Sequence, residues 1–387
     1  MMRKVSIIGV GTTPFGRLDG RSPKELAVAA CQAALRDAGV DRREIQAFYL
    51  GNFVSGQMTG QEVLAPLVAN ALGLPNIPCT KVEGACASGG IALRHGYLMV
   101  ATGVCDVVLV AGVEKLTGGS TERVTAAMAS AADLEVEAGC GLTFPGAWGL
   151  IMRRHMLDFG TTREQVALVA VKNHANGSRN PMAQAGKPVT LERVLESPLV
   201  ADPIRRYDCC PISDGAAAAV LCAADRAGAL APQAIDILAA VQAIGPGALV
   251  EMPSLTTFEA TVRAAREAYA AAGITPRDVD VVELHDCFSM AEIVDSEDLG
   301  LFDKGKGGAA VARGETQVDG RIPINPSGGL LAKGHPVGAT GLGQVYELVQ
   351  QLRDRHPNQV RNAEIGLAHN LGGTGAVGTV TILRRRG

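Results

Sequence analysis

Cys86 stands in VEGACASGG, among small residues and just before an apolar run that begins at Ile91. A thiol at the start of a helix meets unpaired backbone N–H groups and a positive partial charge, which favour thiolate and lower its pKa. The small neighbours leave room for a substrate. A nucleophilic cysteine also needs a base, and His335 in the glycine-rich NPSGGLLAKGHPVGATG is the candidate. ELHDCFS sets His285, Asp286 and Cys287 in a row at the end of an expected strand, and AHNLGGTGAVG is another glycine-rich turn after a strand. Ligands of α/β sheets bind at such carboxyl ends. The set points to Cys–His nucleophilic chemistry, although chain spacing does not show that Cys86 and His335 meet. Most cysteines are small packing residues, and Cys31, Cys79, Cys105, Cys209, Cys210 and Cys222 are read so. Cys140 is left open, and Asp286 is read as supporting a loop. No group of ligands has a metal-binding spacing, so no metal is expected.

The elements that must position these residues come twice. The stretch from Leu26 (LAVAACQAALRDAGVDRREIQAFYLGNF) aligns with that from Glu259 (EATVRAAREAYAAAGITPRDVDVVELHDCF), placing Gly39 on Gly273, Ile45 on Val279 and Leu50 on Leu284. Each reads as an alanine-rich helix, a glycine stop, a polar turn and a strand. DVVLVAGVEK and EIGLAHNLGG continue the match more weakly. Two α/β halves follow, residues 1–230 and 235–387, with a segment of different character at about 118–205 inserted in the first. The insertion holds the only tryptophan, Trp148, and a basic set that includes Arg153, Arg154, Lys172 and Arg179. His174, in KNHANG, is read as ordering that segment rather than doing chemistry. The first strand is expected from Val5 to Val10.

The chain has 387 residues, 47% hydrophobic and 19% charged, which suits a large buried core. With 47 glycines and 4% aromatics, that core is built mainly from Ala, Val, Leu and Ile. The net charge of -3 gives no nucleic-acid footprint. Nine irregularly spaced cysteines without a CxxC pair are no disulfide framework and fit a reducing cytoplasm. No apolar run is long enough to span a bilayer.

With these motifs in hand, the chain resembles the thiolase superfamily over nearly its whole length, above all the sterol-carrier-protein-type and archaeal members whose third motif reads HDCF. GACASGG is similar to the nucleophile motif, HDCF and GHPVGATG match the later motifs, and AGVEKLT, KNHANGSRNP and CCPISDGAAAAV resemble the intervening segments. The resemblance implies an α/β thiolase fold, two duplicated βαβαβαββ halves in a five-layer αβαβα arrangement with an inserted loop domain. It implies acyl transfer between CoA thioesters, acetyl-CoA plus acyl-CoA to 3-ketoacyl-CoA plus CoA or the reverse thiolysis, through an acyl-Cys86 intermediate.

In that scheme His335 takes the thiol proton, and His285 helps polarise the second thioester. The cysteine of the usual late CxG motif is replaced by Asn370 in HNLGG, so the resemblance gives Cys287 the second acid/base role. Backbone at Cys86 and Gly373 would form the oxyanion hole, with Asn370 in the same loop. Arg153, Arg154, Lys172 and Arg179 become candidate contacts for the coenzyme A 3'-phosphate. Coenzyme A is a substrate, and no cofactor is permanently bound. The implied partners are a second copy (a homodimer or dimer of dimers) and a small OB-fold protein with a zinc ribbon. Two alternatives stand beside this: acyl transfer to a non-CoA carbon nucleophile in a multi-subunit complex, and a lipid-binding or aldolase-type protein. The presence of Cys86, Cys287, His285 and His335 together argues against the last.

Overall fold

The computed structural model describes residues 2–231 and 233–386; the outer limits of the two expected halves, residues 1 and 387, lie outside them. The strands of the main sheet are β1 (Val5–Thr12), β2 (Ala47–Gly51), β3 (Cys79–Val82), β4 (Val107–Glu114), β5 (Gly215–Ala223), β6 (Ile235–Ile244), β7 (Val281–Glu283), β8 (Ile365–Gly372) and β9 (Val377–Arg385). They form one nine-stranded run in the order β3-β2-β4-β5-β1-β6-β9-β8-β7. The order is palindromic: β1 answers β6, β5 answers β9, β4 answers β8 and β2 answers β7. Ile324, a single parallel bridge to Val282, stands where β3 would be answered. The seam is short, pairing only Val5, Ser6 and Ile7 of β1 with β6.

Seven helices matter to the site: α1 (Pro23–Ala38), α2 (Ser88–Ala101), α3 (Phe144–Phe159), α4 (Arg163–Gly177), α5 (Glu259–Ala272), α6 (Ser289–Asp298) and α7 (Thr340–Leu352). Leu93 and Val100 of α2 and Leu342, Val345 and Leu348 of α7 fill the space between the half-sheets, against Val108, Val110, Val281 and Ala368. Leu26, Ala30 and Ala34 of α1 cover the outer face of the first half-sheet, and Ala264 and Ala268 of α5 cover that of the second. The five layers expected from the sequence are therefore present.

Local chemistry explains the matched helices. Ser22 and Glu25 close a capping box before α1, Pro23 sits in its first turn, and Gly39 ends it with φ 64°. Gly273 ends α5 the same way, with φ 68°. The strand expected from Val5 to Val10 runs on to Thr12. Gly11 lets β1 approach α1 closely, because a Cβ there would lie 2.3 Å from the Ala30 carbonyl oxygen. Gly11→Ala is expected to cost about 1–3 kcal/mol by overpacking. An unchanged urea midpoint would contradict that close approach.

The insertion expected as a loop domain is largely helical. Thr162 and Gln165 close a capping box on α4, and Trp148, Ile151 and Met152 of α3 pack against Phe288 and Ile293. This satellite core ties the segment to the second half. No helix among the described residues is long and apolar enough to cross a membrane.

Candidate active site

Cys86 lies in a tight turn, Ala85–Ala87, between β3 and α2. Ala85 holds φ 48°, an uncommon conformation for a residue with a side chain. The Glu83 carboxylate accepts the Ala85 N–H at 2.5 Å. Ser88 Oγ accepts from Gly84 N at 3.0 Å and donates to the Ala85 carbonyl at 2.6 Å. These contacts hold a strained turn that presents the thiol.

The chain brings His285 and His335 to the same point. One ligand atom from each of Cys86, His285 and His335 lies within 4.8 Å of the others, and all three residues are buried. The two imidazoles meet edge to face, with centroids 5.1 Å apart. The backbone N–H of His335 donates to Ser213 Oγ at 3.0 Å, and its Nδ1 lies 2.7 Å from Thr340 Oγ1. Thr340 Oγ1 donates its own hydrogen to the Pro336 carbonyl at 3.2 Å. It therefore accepts from Nδ1–H, and His335 keeps an unprotonated Nε2.

The three groups open into an apolar cavity also lined by Cys287, Phe288, Cys209, Cys210, Trp148, Leu371 and Gly373. Trp148 stacks on Phe288 at 5.7 Å. Asp286 does what was expected of it. Its carboxylate accepts the Leu330 N–H at 2.7 Å and Asn173 Nδ2 at 2.7 Å, pinning the HDCF loop to the segment that leads to His335.

Electrostatics overturn one expectation. The helix start was expected to lower the Cys86 pKa. Instead burial pushes the thiol up to about 12, helped by the nearby Glu114 carboxylate and opposed by the N–H groups of Cys86 and Gly373. Removal from water outweighs the first-turn dipole. Burial holds His335 down at about 3, and burial with the neighbouring imidazoles holds His285 well below its usual value. The resting site is therefore a neutral thiol beside two neutral imidazoles.

Family models decide the ancestry. The N-terminal thiolase domain matches residues 5–225, and the thiolase C-terminal domain-like model matches residues 242–385. The chain belongs to the thiolase family.

The thiolase is 49% identical over 385 residues to an acetyl-CoA acetyltransferase of Methanothermobacter thermautotrophicus, covering 99% of this chain and 100% of that one. It is 38% identical to sterol carrier protein 2 of Gallus gallus, covering 97% of this chain and 71% of the relative. Among solved structures, the "Ltp2-ChsH2(DUF35) aldolase" superposes with a TM-score of 0.86 at 26% identity, over 99% of this chain and 98% of that one. Human mitochondrial 3-ketoacyl-CoA thiolase in complex with CoA superposes with a TM-score of 0.76 at 18% identity, over 100% of this chain and 98% of that one, a likeness of fold.

Four expectations about the thiolase's site residues need correction. Cys209 and Cys210, read as packing, line the cavity. Cys209 bridges to Phe288 in antiparallel register and Cys210 N donates to the Cys287 carbonyl at 3.0 Å, so Cys210 lies opposite Cys287. The one signal in the sequence was their place in CCPISDG, where the insertion returns to a strand. Asn370 is absent from the cavity lining. Alternation along β8 sends Leu371 into the cavity and Asn370 to the other face, where its Nδ2 donates to Gln344 and to the His369 carbonyl.

Lys172 is no phosphate contact, being 2% exposed and paired with Glu292 at 2.9 Å. Lys172→Met is expected to destabilise by about 3–5 kcal/mol, by leaving Glu292 buried and unpaired, without raising KM for coenzyme A. Thermal melts and steady-state kinetics check this; a KM effect without a stability loss would overturn it. Arg153 pairs with Asp202, Arg154 with Asp158, and Arg179 Nε donates to the Ala175 carbonyl at 3.3 Å, all on the surface and away from the cavity lining. His174 contacts the Ala170 carbonyl through Nδ1 at 2.9 Å and packs edge-on to Tyr207. Cys140 is exposed. Glu114 was missed: it accepts from Asn52, Phe53 and Gly338 and so joins the loop after β2 to the loop after His335. Burial lifts its pKa to about 7.

Proposed function

We propose that the chain is an acyl-CoA C-acyltransferase of thiolase type that works through acyl-Cys86. The observation that carries this reading is the convergence of Cys86, His285 and His335 within 4.8 Å in an apolar cavity that Cys287 also lines.

In thiolysis, Cys86 Sγ attacks the keto carbonyl of a 3-ketoacyl-CoA while His335 Nε2 takes the thiol proton. The N–H groups of Cys86 and Gly373 receive the oxyanion. The intermediate collapses by breaking the carbon–carbon bond, which leaves the acyl group on Cys86 and an acetyl-CoA enolate whose oxygen faces His285 and His335. Cys287 then protonates the enolate carbon. Desolvation holds its half-buried thiol well above the usual pKa, so it rests as an acid with a proton to give. Coenzyme A next attacks acyl-Cys86 and releases acyl-CoA. Of the two protons in play, the CoA thiol proton returns to Cys287, and the one on His335 returns to Cys86. The same steps reversed are the condensation.

The experiment is intact-protein mass spectrometry with acetoacetyl-CoA, with and without free coenzyme A, while acetyl-CoA is assayed. The expected result is an acetyl adduct at Cys86 that turns over when coenzyme A is added; no adduct at Cys86 would reject the reading. In Cys287→Ser, carbon–carbon cleavage and formation are expected to fall by about 10²-fold or more, and acylation from acetyl-CoA to fall much less, because a CoA thiolate leaves far more readily without a proton than a carbanion does. Equal loss of both half-reactions would remove Cys287 from the proposed role.

The nine free cysteines suit a reducing cytoplasm. The likeness to the "Ltp2-ChsH2(DUF35) aldolase" supports a second reading, in which a small partner protein completes the site. An adduct that forms but turns over only when such a partner is added would favour it. A second copy of the chain is proposed as the basic assembly.

A further inference from the structure

We infer that Cys86, His285 and His335 also form a chelating site for a soft divalent cation of the Zn²⁺ class, which silences the enzyme by occupying its nucleophile. In sequence the three donors lie too far apart to read as a ligand set, and three separate loops bring them together. Their ligand atoms lie within 4.8 Å of one another. A tetrahedral Zn²⁺ with nitrogen at about 2.0 Å and sulfur at about 2.3 Å needs donors about 3.5 Å apart, so the cluster requires only small side-chain movements.

The orientation of His335 is that of a ligand. Metal-binding histidines donate their second ring nitrogen to a fixed acceptor. His335 does so, through Nδ1 to Thr340 Oγ1 at 2.7 Å, which leaves Nε2 for the cation. His285 Nδ1 is buried with no hydrogen-bond partner, so no competing contact fixes the tautomer of that ring. One cysteine and two histidines leave a fourth position open towards the cavity, for water or the thiol of an entering substrate. Binding is an exchange without redox change: the cation forms a bond to Cys86 sulfur and the thiol proton leaves to solvent.

The silencing rests on the acyl-transfer reading, whereas the chelating site stands independently of it, and its test needs no substrate. Metal-free protein is titrated with Co²⁺ under anaerobic conditions. One cation per chain is expected, with a thiolate-to-cobalt charge-transfer band and about one proton released per cation. Cys86→Ser is expected to abolish the band, and His335→Asn or His285→Asn to weaken binding at least about 10-fold. Unaltered protein supplies a readout that does not depend on the variants folding. Zn²⁺ is expected to slow iodoacetamide labelling of Cys86, mapped by peptide mass, more than about 10-fold, and a chelator to restore it. Labelling unaffected by Zn²⁺, a band that survives in Cys86→Ser, or a band lost instead in Cys209→Ser or Cys210→Ser would overturn the inference.

Discussion

Cys86→Ala is expected to lower kcat for thiolysis by at least about 10⁴-fold, because the thiol that carries the covalent intermediate is gone. The cavity still holds Cys209, Cys210 and Cys287, so the variant separates the proposed nucleophile from its neighbours. None of those three has the strained Ala85 turn behind it. Substrate affinity should change little, since one small side chain leaves an otherwise intact apolar lining. The checks are steady-state thiolysis of acetoacetyl-CoA and mass mapping of any residual adduct. Activity within 10-fold of the unaltered protein, or an adduct moved to Cys210 with turnover retained, would reject Cys86 as the nucleophile.

His335→Ala is expected to slow acylation of Cys86 by about 10²–10⁴-fold, the range for loss of a positioned base. Its signature is the pH profile. Burial holds His335 down at about 3 and the Cys86 thiol up at about 12, so neither group changes charge near neutrality. Acylation by the unaltered protein is therefore expected to change little between about pH 6 and 8 beyond the modest effect of the nearby Glu114 carboxylate, which titrates at about 7, with the proton leaving sulfur during attack. Without the base, the thiolate forms only by titration. The sign follows: with a raised thiol pKa, its fraction climbs about tenfold per pH unit through this range. Stopped-flow acylation at several pH values checks both slopes. A flat profile in the variant would mean that Cys86 is already ionised at rest and that His335 is not its base.

Several parts of this architecture were legible because they rest on local chemistry. The helices from Pro23 and Glu259 carry their own stops, Gly39 and Gly273, whose positive φ suits glycine. The repeat of helix, stop and strand foretold halves that the palindromic strand order displays. Asp286 was read as a loop support and is one, because a carboxylate beside consecutive backbone N–H groups has little else to do. The helical character of the insertion was harder to see: its apolar faces pack on α6 of the other half, a surface absent from the local pattern.

The chain by itself determined which residues could react, in which motifs, and the family to which those motifs belong. The tertiary structure decided who meets whom and in what charge state. Cys86 and His335 are brought together by elements far apart in the chain, so no spacing rule applies to them. Lys172 and Asn370 face away from the cavity because helix packing and strand alternation turn them elsewhere. The thiol stays protonated because burial is a property of everything packed around it, and that packing outweighs the helix start that the local sequence displays.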